Sequence, residues 1–196
     1  MTSWASDLRP TWGAAILLAL LGCAHAPVSG SEVDTRYARA VASWTAKAEI
    51  YQFADERAHF MATLESRVFR EQRVRERSRE LGWPPAIELA ELDKESRDGE
   101  RETSFIVAVY TEVPRENDLG DKGSIWRIAL VTPTGELAPT AVDHLGRADE
   151  NMQALYPYMD RFIRAYRIHF PKVGPGPMTL LIASGVGKAE LRFDQL

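Results

Sequence analysis

Residues with catalytic or metal-binding chemistry are scattered through this sequence, and each candidate group lacks a partner at the spacing its chemistry needs. Gly185-Val186-Gly187-Lys188 resembles the end of a phosphate loop, but G-x-x-x-x-G-K-[ST] would require glycine at Ile182 and a hydroxyl at Ala189. A hairpin turn accounts for both glycines. Gly174-Pro175-Gly176-Pro177 reads as a loop, since no helical pattern follows it. The four histidines, His25, His59, His144 and His169, form no H-E-x-x-H pair and have no cysteine partners, which argues against a structural zinc site. His59 and His169 fall on the polar sides of predicted strands. A two-histidine site with Asp or Glu is open to them, and solvated surface histidines are the simpler reading. Glu116-Asn117-Asp118-Leu119-Gly120-Asp121 gathers oxygen donors that suit calcium, but the spacing departs from the EF-hand pattern and a solvated loop is simpler. Ser184 precedes Gly185 without a G-x-S-x-G elbow or an assignable base. Trp126, Tyr156, Tyr158 and Tyr166 are set either to line a groove or to fill a core, and the core is preferred because large aromatics dominate small cores. No catalytic residue, metal ligand or cofactor is assigned from these groups.

Cys23 carries the strongest chemical signal. Trp12 to Gly22 reads WGAAILLALLG, an uncharged run behind Arg9 that stops at Cys23, in the form of a signal-peptide h-region. A spanning helix needs about 20 apolar residues, and Ala24-His25-Ala26-Pro27 breaks this run too early for a simple span. Leu20-Leu21-Gly22-Cys23 resembles the lipobox of bacterial lipoproteins. The resemblance implies diacylglycerol on the Cys23 sulfur, signal-peptidase cleavage between Gly22 and Cys23, and acylation of the new amine. A plain signal peptide cut near Ala26 and a buried core helix are the competing readings, and Asp7 with the lone Arg9 makes a weak n-region. On the favoured reading Cys23 is a membrane anchor and not a catalyst, because two or three acyl chains hold far more firmly than one. In general lipoprotein sorting, Asp after the cysteine retains the protein at the inner membrane. Ala24 occupies that place, which implies the outer membrane, facing the periplasm or displayed at the surface.

The composition is that of a folded protein: 45% hydrophobic, 27% charged and a net charge of -4 exclude a disordered or collagenous chain. A pI near 5.6 gives no whole-chain electrostatic case for nucleic acid. With Cys23 the only cysteine, no intrachain disulfide is possible, and the body must stand on its own core. The expected organisation is a leader at 1–22, a flexible lipid-anchored tether at 23–34 broken by Pro27 and Gly30, and one domain at 35–196.

Within that domain a short helix is predicted over Thr35 to Ser43, where Tyr37, Ala40 and Val41 share a face. From Trp44 the period becomes two. Ala46, Ala48 and Ile50, then Ala58, Phe60, Ala62 and Leu64, mark a strand pair with one buried face and a turn near Ala54-Asp55. Ser66 is a predicted N-cap for an arginine-rich helix over Arg67 to Leu81, ended by Gly82. An acid-rich helix over Ala86 to Arg97, stopped by Gly99, completes an αα-hairpin insertion at about 66–98. Its charged faces read as solvated, with arginines of the first helix facing acids of the second. A basic strip for anionic lipid or a partner is the functional alternative. Further strands are predicted at Phe105–Tyr110, apolar on both faces, Ser124–Thr132, Leu137–Val142, Tyr166–Phe170, Met178–Ala183 and Lys188–Phe193, with one or two helical turns over Asp149 to Met159 that Pro157 must end. The expected fold is mainly β, an immunoglobulin-like antiparallel β-sandwich with an inserted αα-hairpin and a short N-terminal helix.

The segments FIVAVYT, IWRIALVT, ALYPYM, YRIHFP and LLIASGVGKAELRF, in that order, resemble a group of uncharacterised lipoproteins of Gram-negative, chiefly deltaproteobacterial, type. The resemblance covers most of Trp44 to Phe193 and implies an anchored, immunoglobulin-like body with no assigned activity to carry over. The expected function is that of a membrane-anchored cell-envelope lipoprotein acting as a non-enzymatic binding or assembly module, with an envelope protein as a possible partner. A periplasmic hydrolase and a carrier of an apolar ligand are the alternatives. Replacing Cys23→Ser is expected to leave an unlipidated precursor, and acyl labelling with membrane fractionation checks it: unchanged labelling would refute the anchor.

Overall fold

Alternating apolar residues between Gly- and Pro-rich turns produce strands, and among the described residues strand exceeds helix by 42% to 31%. The computed structural model describes residues 35–52 and 55–194. The expected leader at 1–22, the cleavage pair Gly22 and Cys23, the tether at 23–34, His25 and Ala54 of the expected turn lie outside the described residues. In chain order the elements are α1 (Thr35–Ser43), β1 (Thr45–Gln52), β2 (Asp55–Leu64), α2 (Arg67–Leu81), α3 (Pro85–Arg101), β3 (Glu102–Thr111), a 3-10 turn (Pro114–Glu116), β4 (Arg127–Thr132), β5 (Gly135–Leu137), β6 (Ala141–Arg147), α4 (Glu150–Leu155), β7 (Arg164–Pro171), β8 (Met178–Ser184) and β9 (Gly187–Phe193).

The strands form two antiparallel sheets, ordered β1-β2-β3-β7-β6 and β5-β4-β8-β9. Their inner faces share one core, in which Phe60, Phe105 and Phe170 of the first sheet meet Leu180, Leu191 and Phe193 of the second. Ring contacts join the layers: Phe105 lies 5.1 Å from Phe193, and the Trp126 edge meets Phe60 at 5.2 Å. A second apolar layer covers the outer face of the first sheet, where Tyr37, Val41, Phe69, Tyr156 and Ile163 pack on Met61, Ile106 and Ala165. That layer corrects the expectation of one buried face for β1 and β2, since Met61 and Thr63 of β2 are buried beside Phe60 and Ala62.

The helical hairpin follows from local chemistry. Ser66 Oγ accepts from Phe69 N at 3.1 Å and starts α2. Gly82, at φ 61°, ends it in the left-handed conformation that glycine adopts at no steric cost. Pro84 and Pro85 then open α3, where a missing N–H is harmless. Gly99 does not stop α3, contrary to expectation; the helix runs on to Arg101, and a Cβ at Gly99 would make only ordinary contact with Arg70 Cδ at 3.5 Å. The expected strand Leu137–Val142 is also divided. β5 pairs with β4 only through Leu137, and after Pro139 the chain enters the other sheet as β6. α4 stops at Leu155, ahead of the restriction that Pro157 places on its predecessor.

One edge of each sheet is closed against the other. Gly187 of β9, at φ 150°, lies under β1 so closely that a Cβ there would stand 2.6 Å from Ile50 Cγ2. At the opposite side β5 is only 3 residues long, and β6 is broken by a bulge between His144 and Gly146. Short strands and bulges blunt open edges against unwanted pairing. Gly187→Val is expected to lower the free energy of unfolding by roughly 2 kcal/mol through strain and overpacking. Combining it with Ile50→Ala is expected to cost less than the sum of the single changes, which a urea-denaturation double-mutant cycle measures.

Candidate functional site

The largest concentration of charge inside the protein sits where β2 hands over to α2. Glu65 precedes the Ser66 cap, and its backbone N–H donates to Ser104 O at 2.9 Å, which turns the carboxylate inward between sheet and helix. Its side chain has 0% exposure. Arg70 and Arg73, three residues apart on the α2 face that carries Phe69 and Val74, reach it from above. Arg167 of β7 and Ser104 of β3 reach it from the sheet.

Most donors and acceptors of the cluster are paired, while Arg167 Nε lies 3.1 Å from Glu65 Oε2 without forming a hydrogen bond. Arg73 Nη1 donates to Glu65 Oε1 and, at 3.1 Å, to the Tyr156 hydroxyl. Ser104 Oγ donates to Glu65 Oε2 at 2.7 Å and accepts from Arg70 Nη2 at 2.5 Å. Arg70 Nε donates to Glu65 O at 2.9 Å, and Arg167 Nη2 reaches Glu65 Oε1 at 3.2 Å. Glu95 of α3 binds both helix arginines, with its Oε2 2.7 Å from Arg70 Nη1 and 2.7 Å from Arg73 Nη2. Burial pushes the Glu65 carboxyl up, but Arg73, Arg167, Arg70 and the Ser104 hydrogen bond outweigh it and bring it down to about 2. Burial lowers the Arg73 guanidinium, and Tyr156, Glu65 and Glu95 more than reverse this, so that it stays charged. Burial pushes the Tyr156 hydroxyl up and keeps it neutral.

This chemistry is that of a fastener. Glu65 remains ionised at neutral pH and both its oxygens are engaged, so it is no general base. The Ser104 hydroxyl is committed to the same carboxylate. Between the hairpin and the β6–α4 segment lies a furrow of about 260 Å³, walled by Arg77, Trp83, Lys94, Leu145, Met152 and Arg167. It adjoins a depression of about 350 Å³ that shares Arg77, Met152, Leu155 and Tyr156. Glu91 and Glu95 offset the furrow's cations.

The residues singled out in the sequence disperse. His59 pairs in register with Tyr110 and His169 with Ser104, at opposite ends of β3, so the two histidines do not meet. His169 instead bridges Glu102 at 2.9 Å and Asp143 at 3.1 Å, while His59 lies 3.4 Å from Glu56. The loop at Glu116–Asp121 is partly internal: Asn117 and Leu119 are buried, and Asn117 O accepts from the Tyr166 hydroxyl at 2.8 Å. Among the described residues no group of three His, Cys, Asp or Glu is placed to hold a metal ion. Ser184 and Gly187 close the β8–β9 turn. Trp126 and Tyr166 belong to the core between the sheets, and Tyr156 and Tyr158 to the layer outside it. Among the described residues no helix is long and apolar enough to cross a membrane.

The arginines of α2 divide, which corrects the expectation of solvated faces. Arg70 and Arg73 point inward and do reach Glu95 of α3. Arg67 and Arg79 pair within their own helix, with Glu71 and Glu76, and Arg77 lies 5.4 Å above the Trp83 ring. Glu65, which directly precedes the Ser66 cap of the arginine-rich helix, is the centre of the cluster. The available signal was the seam Phe69-Arg70-Arg73-Val74, whose i, i+1, i+4, i+5 spacing puts two arginines where a helix buries apolar residues.

Fold and site together define a mainly β protein of two antiparallel sheets that carries a helical hairpin fastened by a buried ion cluster. No family model, no curated protein and no solved structure matches the chain. Because the folded carboxyl at about 2 lies below its ordinary 4.5, the Glu65 contribution is full above pH 4.5 and is lost as pH falls toward 2. It amounts to about 3 kcal/mol. Glu65→Gln, which leaves the arginines short of a counter-charge, is expected to cost roughly 3–5 kcal/mol at pH 7 and to flatten stability across that acid range, as urea midpoints measured against pH would report.

Proposed function

We propose that this chain is a membrane-anchored cell-envelope lipoprotein that acts as a non-enzymatic binding or assembly module on an immunoglobulin-like β-sandwich. The strand order supports the fold reading. Immunoglobulin sandwiches set strands A-B-E-D against C-F-G, with C′ joining the second sheet in some forms. Here β2-β3-β7-β6 take the places of A-B-E-D and β5-β4-β8-β9 those of C′-C-F-G. β1 is an added edge strand, and the αα-hairpin is an insertion between A and B.

The single observation that carries the functional reading is α3. It is 17 residues long with no buried residue, yet it is held by Arg70 and Arg73 through Glu95. Ile87 and Leu89 stand 48% and 66% exposed on it. A helix fixed in place with apolar side chains outward is a surface made for contact. The hydrolase alternative draws no support from Glu65, which is sealed and permanently ionised. The carrier alternative needs space between the sheets, where Phe60, Phe105 and Phe170 are fully buried.

A photo-crosslinking side chain at position 89 of the lipidated protein tests this reading in intact envelopes. Adducts to envelope lipid or protein at position 89, well above those from position 131, an exposed site on β4, are expected. Equal labelling at the two positions would refute the hairpin as the contact surface.

A further inference from the structure

The apolar surface of the hairpin is segregated along its axis and not around it. In the first two turns of α3 the exposed residues are Ala86, Ile87, Leu89 and Ala90, and Leu81 and Pro84 of the preceding turn are exposed beside them. Leu81 is 53% exposed, and Trp83 stands half-buried under Arg77. The inward Glu88 of this segment is held by Ser78 Oγ at 2.7 Å. Beyond Glu91 the exposed residues of α3 are all charged: Asp93, Lys94, Arg97, Glu100 and Arg101. Below Leu81 the exposed residues of α2 are Arg67, Val68, Arg75, Arg77, Arg79 and Glu80, so that Val68 is the one exposed apolar side chain on this helix away from the tip.

A partner that grips a helix in a groove reads anchors at i, i+3, i+4 and i+7 along the whole helix. This helix offers apolar side chains only at its tip. An apolar tip on a charged shaft matches a planar boundary between hydrocarbon and water. Ala86 to Ala90 span about 7 Å of helix at 1.5 Å per residue, and interfacial helices bury their apolar part by about 5–10 Å.

The number of residues between Cys23 and the described chain bears on whether one plane can hold both the lipid and the tip. About 12 residues separate Cys23 from the start of α1, a span of at most ~42 Å when extended and about 20 Å as a coil. α1 lies on α2, with the Tyr37 ring 6.2 Å from that of Phe69, and Phe69 is about 18 Å along the helix from Leu81 at 1.5 Å per residue. The tether is long enough to cover that difference.

We infer that the hairpin tip, Leu81 to Ala90, inserts into the bilayer that holds the Cys23 lipid, as a second membrane contact. The inference rests on the anchored reading above. Several of the shaft charges are paired, Arg79 with Glu76, Arg97 with Asp93, and Lys94 with Glu91 at 3.9 Å, which weakens selection of anionic lipid. The hydrocarbon boundary is what the tip recognises.

The absence of cysteine beyond Cys23 gives a direct test, since lipidation consumes that thiol. Leu89→Cys in the full lipidated chain takes a single polarity-sensitive fluorophore, and Val131→Cys on β4 serves as the control. On reconstitution into phosphatidylethanolamine vesicles with a minor share of phosphatidylglycerol, the probe at 89 is expected to shift to the blue, with iodide quenching reduced about threefold, as for an interfacially buried helix. The probe at 131 is expected to stay in water. Adding Ile87→Glu is expected to return the first probe to water while the protein still floats with the vesicles. Flotation with a water-exposed probe at 89 overturns tip insertion alone, and loss of flotation with a water-exposed probe overturns the anchored reading with it. A blue shift that appears without vesicles, or only after envelope proteins are added, assigns the tip to a second copy or a protein partner and overturns the inference.

Discussion

Glu65 sits inside the protein at the junction of a strand and a helix, and an ionised carboxylate there requires compensation from all sides. The structure supplies it from α2 through Arg70 and Arg73, from β3 through Ser104 and from β7 through Arg167. Glu95 of α3 then compensates the arginines. Desolvation offsets much of the Coulomb attraction in such a cluster, so its net stability is smaller than its bonds suggest. Its directionality is not offset. Each guanidinium fork fixes two elements to one another, and removal of the carboxylate would leave three buried or half-buried cations facing one acid. The position of the whole helical insertion depends on that single side chain.

The dependence explains a helix that a packing argument alone would not. α2 buries only Phe69 and Val74 among apolar residues, and α3 buries none. An isolated hairpin of this composition has little hydrophobic reason to lie on the sheet, because most helical stability in proteins comes from an apolar face. The ion cluster substitutes for that face. It leaves the apolar residues of α3 available for the outside.

The regular parts of this fold were legible because they are local. Period-two alternation marked the strands, Ser66 and Gly82 marked the ends of α2, and the bounds of α1 follow from three residues at helical spacing. The division of Leu137–Val142 was not legible, since Pro139 announces a break without saying that the chain changes sheet. β2 reads as one-sided because the residues that bury its other face, Tyr37, Phe69 and Tyr156, belong to three separate helical or turn segments whose packing on the strand its own alternation does not announce. Arg70 and Arg73 were read as solvated for a related reason. Their partners Glu65, Glu95, Ser104 and Tyr156 span about ninety residues, and charge on a helix gives no sign by itself of which side is inward.

The two ends of the helical layer impose opposite demands on the same hairpin. At its base, where it meets β2, β3 and β7, charge is buried and apolar side chains are sparse; at its tip, apolar side chains are exposed and charge is sparse. This inverts the usual arrangement of a soluble helix, in which polarity is divided between faces. The base belongs to the protein interior, and the exposed apolar tip is the part that the inferred membrane contact would cover. The rings of Tyr37 and Phe69 tie α1, the first described element, to the base of that hairpin. A tether and a tip that both engage one plane would hold the first sheet's helical side toward it. The outer face of the β5-β4-β8-β9 sheet would then be turned away from that plane, since the two sheets meet only through their inner faces.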